Sequence, residues 1–354
     1  MPSPSTTSDT SEPPLVAAIV LNWNGLNDTR GAIVSLLAQS HPRVEVIVAD
    51  NGSANDEAGV LEREYGARIR LLRNGANLGF SGGNNTAIRL VLAEGRACYV
   101  ALLNNDAVAA PDWLARLVAV AEARPAAGLL ASHMVFFSDP SSTENAGTEL
   151  LTTGEAVPRG RNRPAAEFQR PCRVLGACAG AALYRADALR SVGLLREDYF
   201  ANFEDVDLSL RLATTGHECW FVPGAMVRHK LSQSIQKVRD DAFRIRSVRN
   251  MTHAYWVNVP WLVALLNLPW HLLTWLCVPP LALLAGQWDL ARILVRGRLA
   301  ALAQARSILA ERARLRPLRA GSAWRFWWLQ RSCLQPYWRY LVDVVVRRKR
   351  RYME

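Results

Sequence analysis

The sequence predicts an α/β fold over roughly its first 250 residues, followed by a hydrophobic and basic helical region. Three observations carry this. Short apolar runs alternate with stretches of helical periodicity over the first hundred residues. Each apolar run ends in a cluster of Asn, Asp and Gly. From Ala254 to Trp288, 35 residues pass without one Lys, Arg, Asp or Glu.

The elements follow in order. Residues 1–14 are Ser-, Thr- and Pro-rich with no apolar run after a basic start, which predicts a disordered tail and no secretory signal. LVAAIVL at 15–21, VEVIVA at 44–49 and YVALL at 99–103 are unbroken and rich in β-branched residues. Such runs fit strands buried on both faces of a parallel sheet. Thr29–Gln39, Glu57–Tyr65 and Asn85–Ala93 carry apolar residues at helical spacing between them. Alternation of this kind implies right-handed crossovers, with ligands at the carboxyl ends of the strands. A mixed region at about 130–245 completes a domain over 15–250, and residues 251–354 form the helical region. In that region Pro260, Pro269, Pro279 and Pro280 predict broken or tilted interfacial helices over a single clean span.

Charge separates the two parts. The chain is +11 overall, but Gln287–Glu354 alone holds sixteen Lys and Arg against four acids, so the residues before it are close to neutral. A basic segment of this kind suits a polyanion. Tryptophans interleaved with arginines at 324–339 favour an anionic membrane surface over nucleic acid, for which no motif is present. Six scattered cysteines without a CxxC pair argue against a zinc site or a disulfide framework and imply a reducing compartment.

Five segments carry candidate chemistry. In Asp50-Asn51-Gly52-Ser53 an acid at a strand end can accept the imide N–H of uracil or thymine, or form an ordinary turn. The glycines of Asn77–Asn85 precede a helix and suit phosphate, but match neither a Walker A nor a GxGxxG pattern. Asp106 of Asn104-Asn105-Asp106 can hold a hard cation together with substrate phosphates, or serve as a turn or cap residue. Glu204-Asp205-Val206-Asp207 opens a helix, where acids suit the dipole and Asp207 pairs with Arg211, or where one carboxylate acts as a general base. His229 of Val227-Arg228-His229-Lys230 is open to several roles.

In this order and spacing, VLNWNG at 20–25, DNGS at 50–53, NLGFSGGNN at 77–85, LLNNDAVAAPDWL at 102–114, the small-residue stretch 176–182, FEDVDLSLR at 203–211 and VPGAMVRHKLSQS at 222–234 resemble the inverting family 2 glycosyltransferases, in their rhamnosyltransferase-like branch. The resemblance covers about residues 15–245. It implies a GT-A fold, in which a Rossmann-like nucleotide-binding half joins an acceptor half; the membrane-associated helical region after it is read from composition. The resemblance places Asn22 and Asp50 at the nucleotide base, with Asn51, Gly79, Asn84 and Asn105 in the nucleotide-sugar site. Asp106 would hold Mg²⁺ or Mn²⁺ on the diphosphate, with His229 within reach of the metal. Asp205 would be the catalytic base, with Glu204 beside it, and Trp113 would pack behind the metal loop. The resemblance implies a nucleotide-sugar donor, while the hydrophobic and basic C-terminal region implies docking on an anionic membrane surface, at the cytoplasmic face of a bacterial inner membrane, and hence a lipid-linked glycan acceptor. Rhamnose from dTDP-rhamnose follows from the branch alone. UDP-galactofuranose, UDP-galactose and UDP-N-acetylglucosamine are alternative donors. A nucleotidyltransferase is a remoter reading, disfavoured by the EDVD and HK segments. Arg196 stands where the branch often has an acid, in a loop expected to face the acceptor. The absence of a QxxRW motif disfavours a processive synthase.

Overall fold

The computed structural model describes residues 12–230, 240–335 and 338. Most of the expected tail, the end of the HKLSQS segment and the terminal RRKRR lie outside the described residues. Residues 12–14, expected to be disordered, are held in place. His41 Nε2 lies 2.8 Å from the Pro14 carbonyl, and Arg43 donates to the Pro13 carbonyl and pairs with Glu12.

Among the described residues the first part is built on one eleven-stranded mixed sheet. Its elements are β1 (Val16–Asn22), α1 (Leu26–Leu37), β2 (Val44–Asp50), α2 (Glu57–Tyr65), β3 (Arg70–Arg73), α3 (Gly79–Glu94), β4 (Tyr99–Asn104), β5 (Ala107–Ala109), α4 (Trp113–Glu122), β6 (Ala127–Phe136), β7 (Ser142–Asn145), β8 (Thr148–Leu150), β9 (Ala156–Pro158), β10 (Arg163–Pro164), β11 (Cys172–Val174), β12 (Ala181–Arg185), α5 (Ala186–Val192), α6 (Glu204–Thr214) and β13 (Glu218–His229). Strands β8 and β9 form a separate hairpin. The main path runs β10-β7-β6-β12-β4-β1-β2-β3, with β1 parallel to both β2 and β4. The chain therefore leaves β1 toward β2 on one side and returns to β4 on the other. That reversal opens a crevice at the carboxyl edge, where Asn22, Asp50 and Asn104 end their strands.

The three apolar runs became β1, β2 and β4, each extended by one polar residue, because both faces are covered by helices. Helix α3 differs from expectation. It begins at Gly79, so the glycines lie inside its first turns instead of before it. Helical glycine is unfavourable by itself. Here a Cβ on Gly83 would lie 2.5 Å from Leu21 Cδ1 and 2.9 Å from Asn51 Oδ1, so close approach of helix to sheet requires it.

Among the described residues five helices follow: α7 (Asp241–Asn258), α8 (Trp261–Leu284), α9 (Trp288–Leu302), α10 (Ala305–Leu315) and α11 (Ala323–Trp328). The sequence-based boundary at 250/251 falls inside α7. This helix packs on α6, where Asn258 Nδ2 donates to Asp207 Oδ1 at 2.7 Å. The interfacial stretch is also more regular than expected, since α8 is one 24-residue helix that carries Pro269, Pro279 and Pro280 internally. Packing of one face along its whole length compensates for the lost hydrogen bonds.

Candidate active site

The edge expected to face the donor starts at β1 and β2. In-register Asn22 and Asp50 end these strands, and both are buried. Asn22 Nδ2 donates to Asp50 Oδ1 at 2.8 Å and to Glu57 Oε2 at 2.9 Å, while its Oδ1 accepts the Thr29 hydroxyl at 2.6 Å. Asn22 thus orients two carboxylates, with both its amide nitrogen and its oxygen engaged by neighbouring side chains. Asp50 Oδ1 also accepts the Ser53 hydroxyl, but Oδ2 accepts only the Ser53 N–H, at 3.2 Å, among the described residues. That oxygen keeps the acceptor capacity that a base imide needs. Asn105 lies across the crevice with its amide 3.4 Å from Thr29 Oγ1.

Asn51, Gly79 and Asn84 hold the scaffold. Asn51 Nδ2 donates to Asn77 Oδ1 and to the Gly79 carbonyl, and its Oδ1 accepts from Leu78 N and Asn74 Nδ2. Asn84 Nδ2 bonds back to the Phe80 carbonyl at 2.9 Å. The α3 terminus was expected to cradle phosphate. Instead, the Gly79 N–H is capped by Asn77 Oδ1 at 2.9 Å, and the Ser81 N–H donates to the Phe200 carbonyl at 3.2 Å. The motif therefore ties the donor edge to the loop that precedes α6. Gly79 has φ +72°, and a Cβ there would lie 2.3 Å from the Phe200 carbonyl oxygen. Gly79→Ala is expected to cost about 1–3 kcal/mol of stability, read as a lowered midpoint in urea unfolding. It should also depress activity, because Phe200 leads into the acceptor side.

The loop expected to hold the metal follows β4. Asp106 is buried, and its Oδ1 lies 3.0 Å from His229 Nε2 at the end of β13. His229 Nδ1 lies 2.8 Å from Glu144 Oε2 on β7. Burial alone would lower the imidazole pKa, but the hydrogen bonds to Asp106 and Glu144 outweigh it and push the pKa up to about 10. These residues fit a hard divalent cation. Neighbouring ligands on an octahedral ion with bonds of about 2.1 Å lie about 3 Å apart, which is the Oδ1–Nε2 spacing here. The bond from Nδ1 to Glu144 is the outer contact that metal-bound imidazoles make. Among the described residues no three His, Cys, Asp or Glu form a ready-made cage, so remaining positions on a cation would fall to the diphosphate and water. Trp113 is buried with Nε1 on Ser132 Oγ at 2.8 Å, behind the loop as expected.

The side expected to take the acceptor is joined to this loop through Gly176–Ala182. The Gly180 carbonyl accepts from Asn104 N at 2.8 Å, and the Ala179 N–H donates to Asp205 Oδ2 at 3.1 Å. One short segment thus fixes both the metal loop and the candidate base. Small residues are required along it, since a Cβ on Gly176 would lie 2.4 Å from Ser209 Oγ, and one on Gly180 2.9 Å from Asn104 Nδ2.

Asp205 is half-buried at the start of α6, with Oδ1 accepting from Val206 N at 2.8 Å. Glu204 is buried, and its Oε2 has no partner among the described residues. Burial raises both carboxyls, and proximity couples them. Glu204 is raised by burial and by the Asp205 charge, up to about 8. The N–H donors of Ala179 and Val206 favour the anion on Asp205. The pair therefore holds its proton on Glu204 and its charge on Asp205 at neutral pH. A carboxyl whose folded pKa lies above its unfolded value binds a proton in the folded state that the unfolded state releases. Stability then falls as pH rises between about 4.5 and 8. Glu204→Gln is expected to flatten this slope and to raise the melting temperature at pH 8 by several degrees, which a pH series of thermal unfolding checks.

The backbone before α6 is strained. Phe200, Asn202 and Phe203 have φ of 63°, 78° and 70°. Asn250 on α7 holds this turn by donating Nδ2 to the carbonyls of Tyr199, Ala201 and Asn202. Arg196, in the loop expected to face the acceptor, pairs with Asp198 at 3.0 Å and reaches Glu311 on α10 at 3.6 Å. Asp207 and Arg211 form the expected pair at 2.8 Å, fully buried.

The sequence model described as "Glycosyl transferase family 2" matches residues 17–193, half of the chain. The chain belongs to glycosyltransferase family 2. A protein of Sinorhizobium fredii is 30% identical over 235 residues, spanning 62% of this glycosyltransferase and 25% of that protein. An N-acetylglucosaminyl-diphospho-decaprenol L-rhamnosyltransferase of Mycobacterium tuberculosis is 28% identical over 247 residues, covering 63% of this chain and 78% of that enzyme. Among solved structures, a mannosyltransferase of Pyrobaculum calidifontis with GDP-Man and Mn²⁺ superposes with a TM-score of 0.52 at 19% identity, over 87% of this chain and 86% of that one. The shared fold is GT-A, followed here by a C-terminal helical region.

Within the glycosyltransferase, Thr29, Glu57, Glu144 and Asn250 are site residues that the sequence does not mark as such. Each acts on another site residue from a different element, and none is marked by a motif. Glu144 sits in a four-residue strand of the irregular region, where no periodicity singled it out.

Proposed function

We propose that this glycosyltransferase moves a sugar from a nucleotide-diphosphate donor to a lipid-linked glycan acceptor in one inverting displacement. The cytoplasmic face of a bacterial inner membrane is its place of work. The observation that carries this reading is the Gly176–Ala182 segment, which holds Asn104 at one atom and Asp205 at another. Donor phosphate and acceptor hydroxyl would thereby meet across a single rigid connection.

In this reading Asp50 accepts a hydrogen bond from the base, and Asn22 with Thr29 and Glu57 holds Asp50 in place. Asp106 and His229 would hold Mg²⁺ or Mn²⁺, which neutralises charge on the leaving diphosphate when bound. Asp205 accepts the acceptor's proton as the hydroxyl attacks. Glu204, protonated behind it, keeps the pair at a single negative charge. The strained turn at Phe200–Phe203, held by Asn250, presents Asp205 without the cost of ordering it during each turnover. The mycobacterial relative supports rhamnose as the sugar and a polyprenyl-diphosphate glycan as acceptor; dTDP as its carrier follows from the branch resemblance.

Turnover with a panel of dTDP-rhamnose and UDP-sugars, assayed in detergent with a polyprenyl-diphosphate-GlcNAc acceptor, tests the proposal. Cation-dependent nucleoside diphosphate release from one donor, with label moved to the acceptor, is expected. Transfer that persists fully in excess chelator would contradict the site, and release of pyrophosphate from a nucleoside triphosphate would point to nucleotidyl transfer.

A further inference from the structure

We infer that helix α8 lies in the plane of an anionic bilayer as part of a one-sided docking surface, and does not cross the membrane. By length and composition alone α8 could span, since 24 residues at about 1.5 Å each exceed the hydrocarbon thickness. Its packing points the other way. Val263, Ala264, Asn267, His271, Thr274, Val278 and Ala282 recur at three- and four-residue intervals and are all buried. They form one stripe from the first turn to the last.

The protein itself covers that stripe. At the start of α8, Val263 and Ala264 share a core with Val206 and Leu210 of the base-bearing helix α6. In the middle, Asn267 Nδ2 donates to Tyr255 Oη on α7 and to Gln330 Oε1, and Arg298 of α9 donates to the Thr274 carbonyl. At the end, Val278 and Ala282 pack with Leu290, Ala291 and Leu294 of α9. A spanning helix would have to draw α9 into hydrocarbon with it, and α9 carries exposed Arg292 and Arg296. Each central arginine costs about 2.5–3.5 kcal/mol on insertion scales.

The opposite stripe is apolar and open. Leu265, Leu276 and Leu284 are 62%, 70% and 86% exposed, and no charge interrupts α8. Neighbouring helices extend the surface with Leu299, Trp324 and Trp328, all exposed. Tryptophan suits the interfacial layer, and arginine stems lie along apolar surface with their heads at the phosphates. Arg292, Arg296, Arg306, Arg314, Arg316 and Arg325, on the elements that follow α8, are exposed. Their charge selects anionic lipid as the occupant over a second copy of this equally basic chain. Because α8 and α6 share a core, the surface also holds Asp205 at a fixed height over the headgroups. This deepens the lipid-linked acceptor proposed above and rests on that reading only for the acceptor's whereabouts.

Deleting the region is no test, since α7 and α8 complete the core beneath α6. Spin labels placed singly at 262, 265, 272, 276 and 284 in a C98S/C277S background are read on the full chain bound to vesicles of phosphatidylethanolamine and phosphatidylglycerol. Oxygen and nickel accessibilities are expected to place all five at one shallow depth, about 5–10 Å below the phosphates. A depth that peaks at 272 and returns to water at 262 and 284 would overturn the inference in favour of a span. Labels that stay wet, or that broaden against each other without lipid, would overturn it in favour of a protein partner. Separately, L265E/L272E/L276E should lower vesicle partitioning about tenfold or more, with melting temperature and transfer in detergent unchanged. Wild-type partitioning by this variant would contradict the surface, whereas loss of detergent turnover in both chains would fault the functional reading instead.

Discussion

Asp205→Asn is expected to lower kcat by about 10²–10⁴-fold, the range for loss of a positioned general base, while donor affinity stays near wild type. The reason is location. Asp205 touches Ala179, Val206 and the Glu204 pair, and none of these lines the Asn22–Asp50 edge. Asparagine keeps the shape and part of the hydrogen bonding, so the fold should persist. Donor affinity from calorimetry and single-turnover rates separate the two effects. A mutant with near wild-type turnover would move the base elsewhere, with Glu204 the next candidate. Its buried, protonated state makes it a poor base at neutral pH.

Asp106→Ala has the other large expected effect, and it has a different signature. This carboxylate is the sole acid of its loop and faces His229 Nε2 at 3.0 Å. Removing it should weaken Mn²⁺ affinity in the presence of nucleoside diphosphate by about 10–100-fold or more. It should lower kcat/KM by about 10²–10³-fold, the scale of a lost charge-stabilising group. Unlike Asp205→Asn, it should raise the donor's dissociation constant as well. Manganese electron paramagnetic resonance reads the affinity directly. Unchanged manganese binding would remove Asp106 and His229 from the metal site.

The parts of this site legible in the sequence are those that local chemistry marks. Asn22, Asp50 and Asp106 follow strands whose apolar runs are unbroken, so their position at the carboxyl edge could be read from order alone. Asp205 and Asp207 open a helix, and the i, i+4 partner of Asp207 was visible in Arg211. Where expectations failed, tertiary packing had overridden local preference. The glycines of α3 weigh against a helix until Leu21 and Asn51 are seen pressed against Gly83. Strand β3 is four residues with arginine at each end, half-exposed at the sheet edge, and carries too few apolar positions to declare itself. Three prolines suggested breaks in α8, but its buried stripe packs against α7, α9 and α6 from end to end. Asn250 and Glu144 lie 48 and 85 residues from partners they hold, distances that no local pattern encodes.

The central claim is a single displacement, with the proton accepted on one side by Asp205 and the diphosphate held on the other by the Asp106 loop. The most direct measurement is the anomeric configuration of the product, read by NMR from the transferred sugar against that of the donor. The account predicts inversion, since one carboxylate pair serves the acceptor and no nucleophile is needed opposite it. Retention of configuration would contradict the account, because it requires a second step for which Asp205 has no role.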